Sequence, residues 1–189
     1  MFYLYADISE IDPACLPVKG LTIDVENVLT DGIDGGDPTV RPEGIEFLQR
    51  VQEAGKRLIL LTGCKDEEFV RDVQEQVNSS LDQPIAAIYR GFIDEAKGKR
   101  WPGKHRPAMF YAAANTLRMS GRHMGHVDDQ FKSHIGALRA GYAANIWPMP
   151  WGEHEHAGVE KFRGFEMTAI RGLIKNYHSA KSFASGITT

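Results

Sequence analysis

Short apolar segments alternate along the chain with longer segments whose apolar residues recur every three or four positions. The short segments are bounded by glycine, proline or acidic residues, and they are too short for buried helices. Such segments are typical of strands that are buried on both faces of a sheet. The pattern therefore predicts five strands, at residues 20–24, 57–63, 85–91, 123–129 and 142–150.

The segments between these strands have the end signals of amphipathic helices. One begins at Pro42 and stops at Gly55, and the next, over 65–77, is acidic at its front, as a helix N-terminus favours. Further helices are predicted over 107–119, 131–141 and 158–177. Alternating strands and helices form βαβ units. We therefore expect an α/β fold, with a doubly wound, mostly parallel five-stranded sheet and helices on both faces.

Length, composition and charge narrow the class of protein. A chain of 189 residues suits a single well-filled domain over 1–189, and 42% hydrophobic with 25% charged residues is ordinary for a soluble protein. The net charge of −3 gives no reason to expect a nucleic-acid partner. Two cysteines, no basic leader and no apolar run of about 18 residues lead us to expect a cytoplasmic protein without a membrane span.

Acidic side chains and a hydroxyl follow three of the predicted strands. Asp24 and Glu26 follow the first, Thr62 ends the second, and Asp128 and Asp129 end the fourth. An aspartate after a strand is most often a turn or a helix cap. However, the carboxyl ends of parallel strands meet at one edge of a sheet, where α/β proteins bind ligands. Three such strand ends in one chain favour a ligand-binding site over three unrelated turns or caps.

Other polar segments give weaker signals. The basic run 90–106 is either a solvated loop or a source of cations for a phosphate near the strand edge. The segment "GEHEH", residues 152–156, has too few converging ligands for a metal site. Cys64 has no evident base and is interpreted as an incidental thiol.

Four segments resemble, in chain order, the motifs of the haloacid dehalogenase (HAD) superfamily of phosphatases: "GLTIDVENVLTDG", "LILLTG", "RPAMFYAAANTL" and "HVDDQFKSHIGALRAGY". The chain is most similar to the YqeG-type subfamily IIIA, which includes phosphatidylglycerophosphatases. That similarity begins at "ADISEIDPACLPVKGLTIDVENVL" and extends over about residues 6–175. It implies an HAD-like Rossmannoid fold with little or no cap domain, in which the loops 31–41 and 91–106 cover the site.

The resemblance implies a Mg²⁺-dependent phosphohydrolase that acts on a small phosphorylated substrate. Asp24 would be the nucleophile that forms an aspartyl-phosphate. Glu26 would be the general acid and base. Thr62, followed by Gly63, would bind a phosphoryl oxygen.

The resemblance also implies the cations of the site. Arg106 or Lys104, beside the third motif, would offset the phosphate charge. Mg²⁺ would have a set of oxygen ligands: Asp24, the backbone carbonyl of Glu26, Asp129 and, as an additional candidate, Asp128.

The chain departs from the family at four positions. Glu26 and Arg106 replace Asp and Lys, Asp128 replaces Gly, and His134 replaces an Asp that supports the metal site. A catalytic carboxylate displaced by about 1 Å can lose on the order of 10²-fold in rate. A second function therefore stays open, a degenerate HAD domain that binds a phosphoryl ligand or a partner without turnover.

Further alternatives come from single motifs. "DVENVLTDG" resembles the first motif of the 3-deoxy-D-manno-octulosonate 8-phosphate phosphatases, "DVDGVLTDG", although the rest of the chain fits that group less well. A receiver domain would need an acceptor Asp after the third strand and a Lys after the fifth, and neither is present. A phosphatidylglycerophosphate-like substrate is implied by resemblance alone. The basic loop and last helix would suit peripheral contact with an anionic membrane, and nothing indicates the oligomeric state.

Overall fold

The computed structural model describes residues 2–5, 7–31, 37–90, 93–94, 99–100 and 106–148. These residues belong to one compact unit, which spans Met1–Trp151. Lys104, the "GEHEH" segment and the predicted helix over 158–177 lie outside the described residues. The expectation of one domain over 1–189 therefore stays a prediction.

A six-stranded, all-parallel sheet forms the centre of this unit. The order of its strands is β1-β8-β7-β2-β3-β4, and β5 and β6 form a separate antiparallel pair. The strands are β1 (Phe2–Tyr5), β2 (Gly20–Asp24), β3 (Arg57–Thr62), β4 (Ile88–Arg90), β5 (Ile93–Asp94), β6 (Lys99–Arg100), β7 (Met124–Val127) and β8 (Ala144–Pro148). The predicted α/β fold with a parallel sheet is confirmed.

The five predicted strands are all present, and β1 adds a sixth at the edge beside β8. Its register runs from Phe2 opposite Asn145 to Tyr5 opposite Pro148. The segment "FYLY" has only four residues and no turn signal before it, so its pattern does not distinguish a strand from an irregular terminus. Pairing with β8, a contact distant in sequence, makes it a strand.

Two helices lie on each face of the sheet. They are α1 (Pro42–Glu53), α2 (Glu67–Ser80), α3 (Pro107–Thr116) and α4 (Phe131–Arg139). Proline stands in the first turn of α1 and α3, and the Asp66 carboxylate caps α2 by accepting from the amide of Glu68. After α1 the chain turns at Gly55, whose φ of 68° is a left-handed value that favours glycine.

Successive residues of β3 pack on opposite faces, which divides the core into two clusters. Leu58 and Leu60 lie in a cluster with apolar residues of α1 and α2. Ile59 and Leu61 lie in a second cluster with residues of α3 and α4. This alternation follows from the two-residue period of a strand. The expected cover of helices on both faces is confirmed.

The sheet face beneath α3 and α4 also contains a row of polar side chains. Thr22 of β2 is in register with His126 of β7, which is in register with Asn145 of β8. All three side chains are fully buried. We call Thr22, His126 and Asn145 the polar row. It lies just below the edge of the sheet at which β2 and β7 end.

We expect Phe110→Ala in α3 to lower the free energy of unfolding by about 3–5 kcal/mol, because it leaves a cavity between packed rings. Phe110 is fully buried and meets the rings of His126 and Tyr142 edge to face, with centroids 4.8 and 5.4 Å away. Tyr111→Ala, next along the helix, is the matched control. Tyr111 is 50% exposed and donates one hydrogen bond to the Arg139 carbonyl, so its loss should cost only about 1 kcal/mol. Urea unfolding measures both, and equal losses would contradict this description of the core.

Candidate functional site

The side chains predicted from three strand ends lie on adjacent strands of the sheet. β7, β2 and β3 are neighbours, so Asp128 and Asp129, Asp24, and Thr62 follow one another along the same edge. Asp24, Thr62 and Asp128 are fully buried, and Asp129 and Glu26 are nearly so. The structure therefore brings together the acidic and hydroxyl groups that the sequence placed at one edge.

Three carboxylates form a compact buried cluster. One oxygen from each of Asp24, Asp128 and Asp129 lies within 4.8 Å of the others. Like charges this close raise each other's cost of ionisation, and burial adds to that cost. A divalent cation would offset both effects, and an all-oxygen donor set is the one that Mg²⁺ and similar hard cations prefer. The residues present therefore fit such a cation.

Backbone amides orient two of these carboxylates. The Val25 amide donates to Asp24 Oδ1 at 2.8 Å, and the Gln130 amide donates to Asp128 Oδ1 at 2.7 Å. Hydrogen bonds from neutral donors to a carboxylate favour its ionised form. These two hydrogen bonds fix how the Asp24 and Asp128 carboxylates lie at the sheet edge.

Glu26 directs its carboxylate toward β3. The Thr62 hydroxyl donates to Glu26 Oε2 at 2.7 Å and accepts from the Cys64 amide at 2.9 Å. A hydroxyl has a single hydrogen to donate, so Glu26 takes the hydrogen that a phosphoryl oxygen would need. The sequence did not predict this contact, because neither residue alone indicates where a longer acidic side chain would reach.

Asn27 is a site residue that the sequence analysis missed. Its φ of 61° is left-handed, a conformation that asparagine adopts more readily than most residues. From there its Nδ2 donates to Asp129 Oδ2 at 3.2 Å, which joins the loop after β2 to the turn after β7. The Arg41 guanidinium secures this loop by donating to the Val28 carbonyl at 2.5 Å. An Asn directly after the acidic motif was the signal available in the sequence.

A second arginine secures the loop after β3. Arg90, at the end of β4, donates to the carbonyls of Cys64 and Lys65 and pairs with Glu67 at 3.1 Å. Arg90 was the first member of the basic run considered for phosphate contact. In the structure its guanidinium binds the loop that follows Thr62.

Two aromatic rings bind the backbone carbonyls of the turn at Asp128 and Asp129. His134 Nε2 lies 2.9 Å from the Asp128 carbonyl, and Trp147 Nε1 donates to the Asp129 carbonyl at 2.8 Å. Burial, with a contribution from His126, lowers the pKa of His134 to about 4, so its ring is neutral near pH 7. Nε2 then carries the hydrogen, because a carbonyl only accepts. Position 134, where the sequence resemblance implies an Asp, supplies a hydrogen bond to this turn.

The cations predicted for the third motif are only partly described. Arg106 is the exposed N-cap residue of α3, and its side chain makes no capping hydrogen bond there. Lys104 lies outside the described residues, and Gly63 is half-buried in the loop after Thr62. The roles of these three residues stay predictions. None of the described helices is both long and apolar enough to span a membrane.

No protein-family model and no curated protein matches the chain. Among solved structures the chain is similar to a phosphatase of Haemophilus influenzae, the cobalt-bound deoxy-D-mannose-octulosonate 8-phosphate phosphatase (YrbI). The two sequences are 14% identical, and the TM-score is 0.50 over 71% of this chain and 70% of that one. An uncharacterised protein from Corynebacterium glutamicum has 22% identity and a TM-score of 0.46 over 76% of this chain and 92% of its own. CbbY from Rhodobacter sphaeroides, in complex with phosphate, has 13% identity and a TM-score of 0.44 over 73% and 89%. The Haemophilus likeness concerns the fold alone, and it agrees with the HAD-like Rossmannoid fold implied by the sequence motifs.

Proposed function

We propose that this protein is a divalent-metal-dependent phosphohydrolase that acts on a phosphomonoester through an aspartyl-phosphate. The observation that carries the proposal is the buried cluster of Asp24, Asp128 and Asp129 beside Thr62 at the carboxyl edge of the sheet. Three buried carboxylates are costly unless a cation binds them. A nucleophilic carboxylate next to a cation and a hydroxyl donor is the set that phosphoryl transfer requires.

Asp24 and Glu26 carry the covalent steps. A carboxylate oxygen of Asp24 attacks phosphorus, and the bond from phosphorus to the substrate oxygen breaks. The protonated Glu26 gives its proton to that leaving oxygen. Glu26 then takes a proton from water, whose oxygen attacks the aspartyl-phosphate and releases inorganic phosphate and free Asp24.

The remaining groups bind and orient. Asp24, Asp128, Asp129 and the backbone carbonyl of Glu26 would hold Mg²⁺. When bound, the cation supplies positive charge that offsets the carboxylates and the phosphate. Thr62 would donate to a phosphoryl oxygen once Glu26 releases its hydroxyl, and Arg106 or Lys104 would add positive charge from the third motif.

Substrate class follows only from resemblance. The YqeG-type similarity favours a phosphatidylglycerophosphate-like substrate. The first motif, together with the fold shared with the Haemophilus phosphatase, supports a sugar phosphate such as 3-deoxy-D-manno-octulosonate 8-phosphate as the alternative. Release of inorganic phosphate from each compound, assayed side by side, separates the two.

A binding domain without turnover is the second candidate function. The hydrogen bond from Thr62 to Glu26 favours it, because it removes the donor that a phosphoryl oxygen would use. Glu26→Asp, one methylene shorter, should release Thr62. Wild type with no activity, together with a gain of activity in this variant, would identify the native chain as a binding domain.

We expect Asp24→Asn to abolish Mg²⁺-dependent hydrolysis of p-nitrophenyl phosphate, because an amide cannot form the aspartyl-phosphate. EDTA should have the same effect on the wild type. Asp82→Asn is the control, since Asp82 is an exposed carboxylate after α2 and should leave the rate unchanged. Undiminished hydrolysis by Asp24→Asn would refute the assignment of Asp24 as the nucleophile.

We expect Glu26→Gln to lower kcat by about 10²–10⁴-fold, because the amide preserves length but cannot transfer a proton. The amide oxygen can still accept from Thr62, and the backbone carbonyl is unchanged, so Mg²⁺ affinity should remain within about threefold of wild type. Steady-state kinetics and calorimetric titration with Mg²⁺ measure the two effects. A large loss of Mg²⁺ affinity would instead indicate that the carboxylate itself binds the metal.

We expect Mg²⁺ to raise the free energy of unfolding of the wild type, by about 2.7 kcal/mol at a concentration of 100 Kd. Asp129→Asn should remove this increase. It should also make the metal-free protein more stable, because it relieves repulsion within the cluster. Thermal unfolding of both proteins, with and without Mg²⁺, measures the stabilisation by Mg²⁺ and the change in metal-free stability. A metal-free Asp129→Asn that is less stable than the metal-free wild type would contradict the repulsion.

A further inference from the structure

A buried histidine that the proposed mechanism does not use lies directly beneath the acidic cluster. His126 is in the middle of the polar row, with Nδ1 3.0 Å from Thr22 Oγ1 and 3.3 Å from the Thr22 carbonyl. On the other side of the ring, Nε2 lies 3.3 Å from Asp128 Oδ2. The imidazole thus connects the interior of β2 to a carboxylate at the edge of the sheet.

Packing fixes the orientation of this ring. Phe110 meets it edge to face at a centroid distance of 4.8 Å, and the His134 ring approaches to 5.1 Å. The side chain is fully buried, and a buried imidazole is costly unless polar partners compensate its desolvation. With both nitrogens directed at polar groups and two rings against it, His126 cannot turn without losing contacts.

Asp128 is held at each of its polar atoms. Its amide donates to the Ile146 carbonyl at 3.3 Å, its carbonyl is bound by His134, and its Oδ1 accepts from the Gln130 amide. His126 Nε2 lies 3.3 Å from Oδ2, the remaining oxygen, at contact distance but without the alignment of a hydrogen bond. A carboxylate with one oxygen hydrogen-bonded and the other against a packed ring is held in one orientation, and that orientation brings it within 4.8 Å of Asp24 and Asp129.

We propose that His126 is a positioning residue, which holds the Asp128 carboxylate in the orientation that binds the divalent cation while Thr22 anchors the far side of its ring. The inference rests on the proposed function, because it concerns the same metal site. Partners of metal ligands commonly change metal affinity by about 10–100-fold when they are removed. His126 contributes by fixing a ligand and does not touch substrate or the reacting atoms.

Two substitutions separate this role from simple packing. The amide nitrogen of glutamine can take the place of Nε2, whereas that of asparagine can take only the place of Nδ1. His126→Gln therefore keeps a nitrogen facing the Asp128 carboxylate, and His126→Asn loses it. Both variants are polar and both disturb the packing against Phe110.

The experiment is titration of the full-length, metal-free protein with Mn²⁺ by calorimetry. We expect His126→Asn to weaken Mn²⁺ binding by about 10–100-fold and His126→Gln to remain within about threefold of wild type. His123→Asn is the control, because His123 precedes β7 and contacts Ser120 at 3.5 Å, and it should bind as wild type. Equal affinity of His126→Asn and wild type, or equal losses in the Asn and Gln variants, would overturn the proposal.

A double-mutant cycle with Asp128→Asn tests whether His126 changes Mn²⁺ affinity through the Asp128 carboxylate. In the Asp128→Asn background, His126→Asn should weaken Mn²⁺ binding by no more than about twofold. An undiminished loss in that background would overturn the proposal. Wild type that binds no Mn²⁺ would instead refute the metal site of the proposed function, and this inference with it.

Thr22→Val keeps the experiment decisive if His126→Asn does not fold. Valine has nearly the shape of threonine and removes the hydroxyl near Nδ1, which also donates to the Gly125 carbonyl at 3.3 Å. We expect it to weaken Mn²⁺ binding by about 3–10-fold, since the ring loses its anchor. Unchanged Mn²⁺ affinity in a folded Thr22→Val would overturn the proposal that Thr22 anchors the His126 ring to support the metal site.

Discussion

The mutual repulsion of three buried carboxylates is the constraint on which the rest of this site depends. Asp24, Asp128 and Asp129 come from two adjacent strands, so the parallel sheet itself forces them together. A fold that keeps such a cluster must supply donors to each member, because an uncompensated buried charge is strongly destabilising. The backbone amides after Asp24 and Asp128, and the amide side chain of Asn27, supply them.

Cations near this site serve the backbone of the loops that carry it. Arg41 donates to carbonyls of the loop after β2, and Arg90 does so in the loop after β3. A guanidinium has five N–H donors in a fixed fork, which suits the binding of neighbouring carbonyls. Loops fixed in this way hold Asp24 and Thr62 in place before any ligand arrives. The proposed function assigns the positive charge that offsets a phosphate to a bound metal and to the third motif.

Much of the fold could be predicted from the sequence, because short apolar segments and helix end signals are local. The edge on which Asp24, Thr62 and Asp128 meet follows from the same alternation, without any knowledge of register. Strand β1 and the polar row could not be predicted, since each depends on pairing between residues more than a hundred positions apart. His126 alone resembles an ordinary core residue, and its importance is visible only where Thr22 and Asp128 flank it.

The contact between Thr62 and Glu26 connects two requirements of the proposed reaction. The hydroxyl has one hydrogen, so a phosphoryl oxygen and the Glu26 carboxylate cannot both receive it. A phosphate that takes this hydrogen leaves Glu26 without that partner, so its carboxyl group can turn toward the leaving oxygen. Substrate binding would thereby release the side chain that the proposed reaction directs at the leaving oxygen. The longer side chain at position 26 is then compatible with catalysis as well as with simple binding, and the difference between them lies in whether phosphate displaces it.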